Sequence, residues 1–195
     1  DRKNVVVIGA GIAGLEAARV AAIRGHHVDL YEKEGRIGGQ INIAGVPPRK
    51  DEILRSIEYY EKILPTLDVT LHLNSVCTKE IMNEADAVIC AVGAHDIMLP
   101  VPGAESANVI SSWDVLAKKA DVKGHCVIIG GGLVGTETAE YVLSLGCQVS
   151  IVEMLDKIAG GESPTILPHI MEDFARHDVK QYVNTKVDCI KNDGT

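Results

Sequence analysis

Aromatic residues make up only 4% of the 195-residue chain, with one Phe and one Trp. A core built without rings relies on Val, Ile, Leu and Ala, the residues of buried parallel strands and of the small-faced helices that pack on them. No apolar run reaches the roughly 18 residues of a membrane-spanning helix, and Asp1-Arg2-Lys3-Asn4 leads straight into a strand-like stretch with no signal-peptide core. Basic residues are outnumbered, 19 Lys+Arg against 27 Asp+Glu, for a formal charge of -8. With no basic stripe to release counterions, nucleic acid and anionic membrane surfaces are not expected partners. The five cysteines, Cys77, Cys90, Cys126, Cys147 and Cys189, include no C-x-x-C pair. Their spacing fits a reduced, cytoplasmic setting. An initiator Met is also missing, which suggests a piece of a longer chain. What remains, 46% hydrophobic and 24% charged, is ordinary globular usage, enough for one large domain or two small ones.

The chain contains a repeat. Displaced by 121 residues, Gly9, Gly11, Gly14, Glu16, Gly25, Val28 and Glu32 recur as Gly130, Gly132, Gly135, Glu137, Gly146, Val149 and Glu153. In the first copy Val5-Val6-Val7-Ile8 is a short β-branched run, followed at once by Gly9-x-Gly11-x-x-Gly14. The Ala-rich stretch Leu15 to Arg24 reads as a helix ended by Gly25, and Val28-Asp29-Leu30-Tyr31 as a second strand finishing at Glu32. The second copy, from Cys126 through Glu153, has the same order.

Strand, glycine turn, helix, strand and acid together suit a dinucleotide. The first glycine permits the tight turn, the second lets backbone approach the pyrophosphate, and the third lets helix and strand pack closely. The helix N-terminus offers free N–H groups to the phosphates, and the acid 23 residues beyond Gly9 accepts from ribose hydroxyls. Glycine clusters alone mark many ordinary turns; the context around these two, and its repetition, favours nucleotide sites.

Between the copies, Pro47-Pro48 is expected to start a helix with Ile53, Ile57, Tyr60 and Leu64 at helical spacing, stopped by Pro65. Val69 to Leu73 alternates as a half-exposed strand, and Asp86 to Gly93 reads as a buried strand in which Cys90 is a small buried hydrophobe. Ala94 to Gly124 is a connector with one short helix near Trp113 that Ser111 caps. Beyond the second copy, Val179–Val183 and Thr185–Lys191 read as paired strands, and Asn192-Asp193-Gly194 as a hairpin turn with only Thr195 after it. That ending implies a fragment whose open strand edges favour self-association, hence a homo-oligomer.

These motifs resemble the flavoproteins with two dinucleotide-binding domains, in which one Rossmann-like unit holds FAD and a second, inserted into it, holds NAD(P)H. Arg36-Ile37-Gly38-Gly39-Gln40 after the first acid, Ala91-Val92-Gly93 at the strand end, and Gly130-Gly131-Gly132-x-x-Gly135-x-Glu137 carry the match. Gly38 to Ala44 followed by Pro48 and Arg49-Lys50 is similar to the C-terminal module of NADH:flavin oxidoreductases related to 2,4-dienoyl-CoA reductase, enoate reductase and trimethylamine dehydrogenase.

The resemblance implies an α/β fold of two truncated Rossmann-like units in a three-layer β/β/α arrangement, with residues 1–100 as the FAD unit, 101–123 as connector and 124–195 as the NAD(H) unit. It implies FAD on Gly9, Gly11, Ala13, Gly14, Glu32, Lys33, Gly39, Gln40, Val76, Ala91 and Gly93. It places the nicotinamide cofactor on Gly130, Gly132, Leu133, Val134, Gly135 and Glu153. An acid at Glu153 followed by Met154 repels the extra phosphate of NADPH, so NADH is expected. The implied reaction is hydride transfer from NADH to FAD; in relatives the electrons leave for a 4Fe–4S cluster and FMN in a separate catalytic barrel that reduces an enoyl substrate. This chain has no group of four close cysteines for such a cluster, and no cysteine pair in 40–45 or 134–139 for a disulfide relay. The alternative function is a nucleotide scaffold whose second site is redox-silent.

Three features carry plainer expectations. His169, Asp173 and His177 could form a metal face, but an exposed polar face opposite Ile170 and Phe174 is favoured. Glu137 corresponds in some relatives to a residue near the nicotinamide, while its twin Glu16 argues equally for shared packing. His26-His27 read as solvated.

Overall fold

The structure is a computed structural model that describes residues 1–191. The chain divides into two compact units, residues 1–45 with 50–95, and residues 46–49 with 96–195.

In the first unit β1 (Asn4–Ile8), α1 (Ile12–Ile23) and β2 (His27–Tyr31) form the expected βαβ element. Short α2 (Ile41–Ala44), α3 (Arg55–Ile63), β3 (Val69–His72), α4 (Lys79–Glu84) and β4 (Ala87–Cys90) complete it. All strands are parallel, in the order β3-β2-β1-β4. Val7, Leu15, Ala18, Val28 and Leu30 are fully enclosed at its centre. Burying each of the larger aliphatics stabilises the unit by about 1.5–3 kcal/mol. Ala18 and Ala22, one turn apart on α1, present a flat face that lets the helix lie close to the sheet.

The second unit contains α5 (Ser112–Leu116), β5 (His125–Ile129), α6 (Leu133–Ser144), β6 (Gln148–Val152), α7 (Leu167–Arg176) and β7 (Lys180–Tyr182). Its strands are parallel in the order β5-β6-β7. The chain's one Phe, Phe174, is fully buried with Ile170 and Ile151. The opposite side of α7 is polar as expected: the Asp173 carboxylate accepts from Arg49 and Arg176. Ser111 caps α5, its Oγ accepting from the Trp113 N–H at 3.1 Å.

Several expectations fail for physical reasons. Pro47-Pro48 does not start a helix, because Arg49 sits at φ 68, in the left-handed region that interrupts helical geometry. The chain instead enters α3 through a 3-10 turn at Asp51–Leu54, which leaves Ile53 exposed while Tyr60 and Leu64 are buried. Residues 46–49 belong to the second unit, where Arg49 pairs with the buried carboxylate of Glu140. Burial pushes the Glu140 carboxyl up, and the Arg49 charge opposes that.

β4 ends at Cys90 and is not buried. Val88, Ile89 and Cys90 are all exposed, since among the described residues β4 pairs only with β1, at the sheet edge. His26 and His27 are half-buried and bonded, not simply solvated: the Lys3 N–H donates to His26, and His27 Nδ1 lies 2.8 Å from Asp68. The segment Thr185–Lys191 does not pair with Val179–Val183. β7 lies parallel to β6, Asn184 turns the chain at φ 49, and the Ile190 N–H donates to the Pro102 carbonyl. The expected turn at Asn192–Gly194 lies outside the described residues.

Candidate dinucleotide sites

Both glycine turns have the same stereochemistry. Gly9 and Gly130 adopt φ 97 and φ 95, a left-handed conformation open to glycine and strained for any other residue. Their N–H groups donate to the Tyr31 and Val152 carbonyls, which closes each turn on its second strand. A Cβ added to Gly14 would lie 1.8 Å from the Gly9 carbonyl oxygen, and one added to Gly135 would lie 1.8 Å from that of Gly130. The third glycine of each motif is therefore required by helix–turn contact.

The second glycine differs. A Cβ on Gly11 or Gly132 would meet nothing within 4 Å. The space over these backbones is the open cradle that a pyrophosphate needs. Gly11 and Gly132 are also the N-caps of α1 and α6, and neither helix has a side-chain cap bond. The first-turn N–H groups, including those of Ala13 in α1 and Val134 in α6, are thus available to an anion. Ala13, Leu133 and Val134 are exposed around the two cradles.

The two acids are buried and held identically. Glu32 Oε2 accepts the Ala10 N–H at 2.8 Å and Oε1 accepts the Glu34 N–H at 2.9 Å. Glu153 Oε2 accepts the Gly131 N–H at 2.7 Å and Oε1 the Leu155 N–H at 2.8 Å. Each carboxylate thus braces its glycine turn against the end of the second strand. A carboxylate has about four acceptor positions, so each oxygen keeps one that no backbone N–H occupies. The cradle, the uncapped helix start and the residual acceptors fit the adenosine diphosphate portion of FAD and of NADH.

In the first unit the Arg36–Gln40 motif packs on this turn. The Gly38 N–H donates to the Ala10 carbonyl at 2.8 Å, Gly11 and Gly38 form an isolated parallel bridge, and a Cβ on Gly39 would lie 3.0 Å from the Gly11 Cα. Ala91, directly after β4, backs the turn, its carbonyl oxygen 2.4 Å from where a Gly9 Cβ would stand. Gly93, at φ 73, lies beside the Gln40 side chain, whose Nε2 donates to the Ala94 carbonyl. Val76 and the Lys33 side chain are exposed, and Lys33 faces Glu34 at 3.9 Å.

The repeat runs further than the identical residues suggest. Ile37 and Ile158 are both buried, and the Ala159 N–H donates to the Gly131 carbonyl as Gly38 does to Ala10. Lys157-Ile158-Ala159-Gly160 is therefore a second copy of Arg36-Ile37-Gly38-Gly39. The change from Gly38 to Ala159 hides it in the sequence, although Ala159 keeps a positive φ of 52.

Glu16 has a structural role. Its carboxylate accepts from Arg19 and from the Tyr60 hydroxyl, both bonds at 2.7–2.8 Å, and ties α1 to α3. The Arg19 bond first, then the Tyr60 bond, holds the Glu16 carboxyl down at about 2, against an ordinary 4.5. A carboxyl lowered in the folded state adds stability above its unfolded pKa and loses it as pH falls through the folded value. In urea titrations the deficit of Glu16→Gln relative to wild type should accordingly be full above pH 4.5 and close between pH 4.5 and about 2. A deficit unchanged across that window would remove this role.

Residues 3–195 match the model of the pyridine nucleotide-disulphide oxidoreductase family. The chain belongs to that family. Domains of this family bind FAD and NAD(P)H. It is 46% identical over 192 residues to a bilirubin reductase of Mediterraneibacter gnavus (strain CC55_001C), covering 97% of this chain and 30% of that protein. It is 43% identical over 197 residues to a cinnamate reductase of Clostridium sporogenes, covering 95% of this chain and 29% of that protein. A 2-naphthoyl-CoA reductase complex superposes with a TM-score of 0.93 at 29% identity, covering all of this chain and 30% of that one. The chain thus spans about a third of these relatives' length. Despite the family's name, all five of its cysteines are free. No helix among the described residues is long and apolar enough to cross a membrane.

Proposed function

We propose that this chain is the electron-entry module of an NADH-dependent flavin oxidoreductase, its first unit holding FAD and its second NADH. The observation that carries the reading is the second cradle, which keeps the open backbone at Gly132, the packed Gly135 and the buried, braced carboxylate of Glu153. A site kept only as scaffold has no need of an unobstructed phosphate approach.

The residues take these roles. Gly9, Gly11, Ala13 and Gly14 receive the FAD pyrophosphate, and Glu32 takes the adenosine ribose. Lys33 and Val76 lie on the adenosine side, while Gly39, Gln40, Ala91 and Gly93 line the path towards the ribityl chain. Gly130, Gly132, Leu133, Val134 and Gly135 receive the NADH pyrophosphate, and Glu153 takes the ribose and repels a 2′-phosphate. Bound there, the cofactors supply the hydride donor and acceptor, and the protein supplies position and field. No side chain of this chain is assigned a covalent or proton-transfer role.

A full-length protein resembling the named reductases would carry an FMN and iron–sulfur barrel on the same chain, and this module would supply that barrel with the electrons to reduce an enoyl-type substrate. A cytoplasmic setting suits the free cysteines, and the exposed edge at β4 favours self-association. The test is the visible spectrum of the full-length protein under anaerobic conditions. NADH should bleach the flavin band stoichiometrically; a bound FAD that NADH leaves oxidised would replace this reading with the redox-silent scaffold.

A further inference from the structure

The third strand repeats as well, and it points to a residue of the second site that the glycine motif does not contain. In the first unit the Glu32 N–H donates to the His72 carbonyl at 2.9 Å, the Asn74 N–H to the Glu34 carbonyl at 3.0 Å, and the Ser75 N–H to the Glu32 carbonyl at 2.9 Å. In the second unit Glu153 N–H donates to the Tyr182 carbonyl at 2.8 Å, Asn184 N–H to the Leu155 carbonyl at 2.8 Å, and Thr185 N–H to the Glu153 carbonyl at 2.9 Å. Asn74 and Asn184 make the same left-handed turn, at φ 52 and φ 49. The three bonds correspond one for one, at a displacement of 110 residues rather than 121. The shift arises because 40 residues separate Glu32 from His72 and only 29 separate Glu153 from Tyr182.

This register makes Lys186 the counterpart of Val76. Each is the residue directly after the amide that bonds to the backbone of the ribose acid, so the chain itself places each beside that acid. Both are exposed. The first unit has an apolar side chain there and the second a cation. We propose that Lys186 is a specificity-determining residue of the second nucleotide site, standing on the adenosine side next to Glu153 and moderating the rejection of a ribose 2′-phosphate. The inference rests on reading that unit as a nicotinamide-nucleotide site. A cation at this backbone position offsets part of the field that the Glu153 carboxylate exerts at the 2′ position, and does so less as salt rises.

The experiment is calorimetric titration of the FAD-saturated full-length protein with 5′-ADP and with adenosine 2′,5′-bisphosphate, so that catalysis plays no part. Lys186→Val should weaken the bisphosphate about threefold and Lys186→Glu about tenfold, with 5′-ADP changed less than about twofold, and added salt should shrink the differences. An unchanged ratio of the two affinities in Lys186→Glu, or an equal loss for both ligands, overturns the role of Lys186. If wild-type protein binds neither nucleotide, the nicotinamide-site reading itself fails, and the role of Lys186 with it.

Discussion

Gly135→Ala is expected to destabilise the second unit by about 3 kcal/mol and to weaken NADH binding more than about a hundredfold. The new methyl would stand 1.8 Å from the Gly130 carbonyl oxygen and 2.9 Å from its carbon. Both are backbone atoms, so no rotamer change relieves the clash and α6 must move away from its turn. Because that turn is the proposed phosphate cradle, stability and binding should fall together. Gly132→Ala provides the contrast. Its methyl meets nothing within 4 Å, and φ -70 suits alanine. Losing glycine from the N-cap costs about 1 kcal/mol or less. That variant should therefore keep its fold and lose the nucleotide, since the methyl fills the approach of the pyrophosphate. Denaturant unfolding and NADH titration separate the two effects. A Gly132→Ala protein that binds NADH as wild type does would refute the cradle, and a fully stable Gly135→Ala protein would refute the packing argument. Gly14→Ala should act on FAD in the same way, its methyl equally close to the Gly9 oxygen.

Glu153→Arg has the second large effect. Reversing the charge beside the ribose should shift the ratio of NADPH to NADH affinity towards NADPH by about tenfold or more. The carboxylate also accepts the Gly131 N–H, and arginine has no acceptor to replace it. Leaving that donor unpaired costs about 1–3 kcal/mol. The Leu155 N–H costs less, because Leu155 is exposed and water can replace the bond. The variant should therefore be less stable without ligand as well as altered in preference. Glu153→Gln keeps one acceptor oxygen and should fall between the two in both measurements. If the affinity ratio stays at the wild-type value in Glu153→Arg, Glu153 is not the ribose residue.

Much of this was legible in the sequence because its causes are local. A glycine at φ above 90 is a single-residue requirement, and the apolar spacing of α1, α6 and α7 reflects helical geometry within a few turns. Pro47-Pro48 shows the limit: helix entry depended on the conformation of Arg49, and Arg49 is held by Glu140 and Asp173 far along the chain. Cys90 shows another, since an apolar strand is buried only if both faces are covered, and coverage is not a property of the strand. The third-strand repeat is hidden in the sequence because the shorter segment before β7 changes its displacement, and only the hydrogen bonds preserve it.

The sequence by itself determined the two βαβ units, their glycine turns and the acids at the ends of their second strands, because stereochemistry and periodicity act over short separations. The tertiary structure decided what those acids do before any ligand arrives, which glycine is required by contact and which lies open, and which residue stands beside Glu153 from the third strand. The bonds of Ala10 to Glu32 and of Gly131 to Glu153 span 22 residues and those from the third strand span more, while the Gly14 and Gly135 contacts span only five but require the helix to fold back on its turn. Only folding sets such distances.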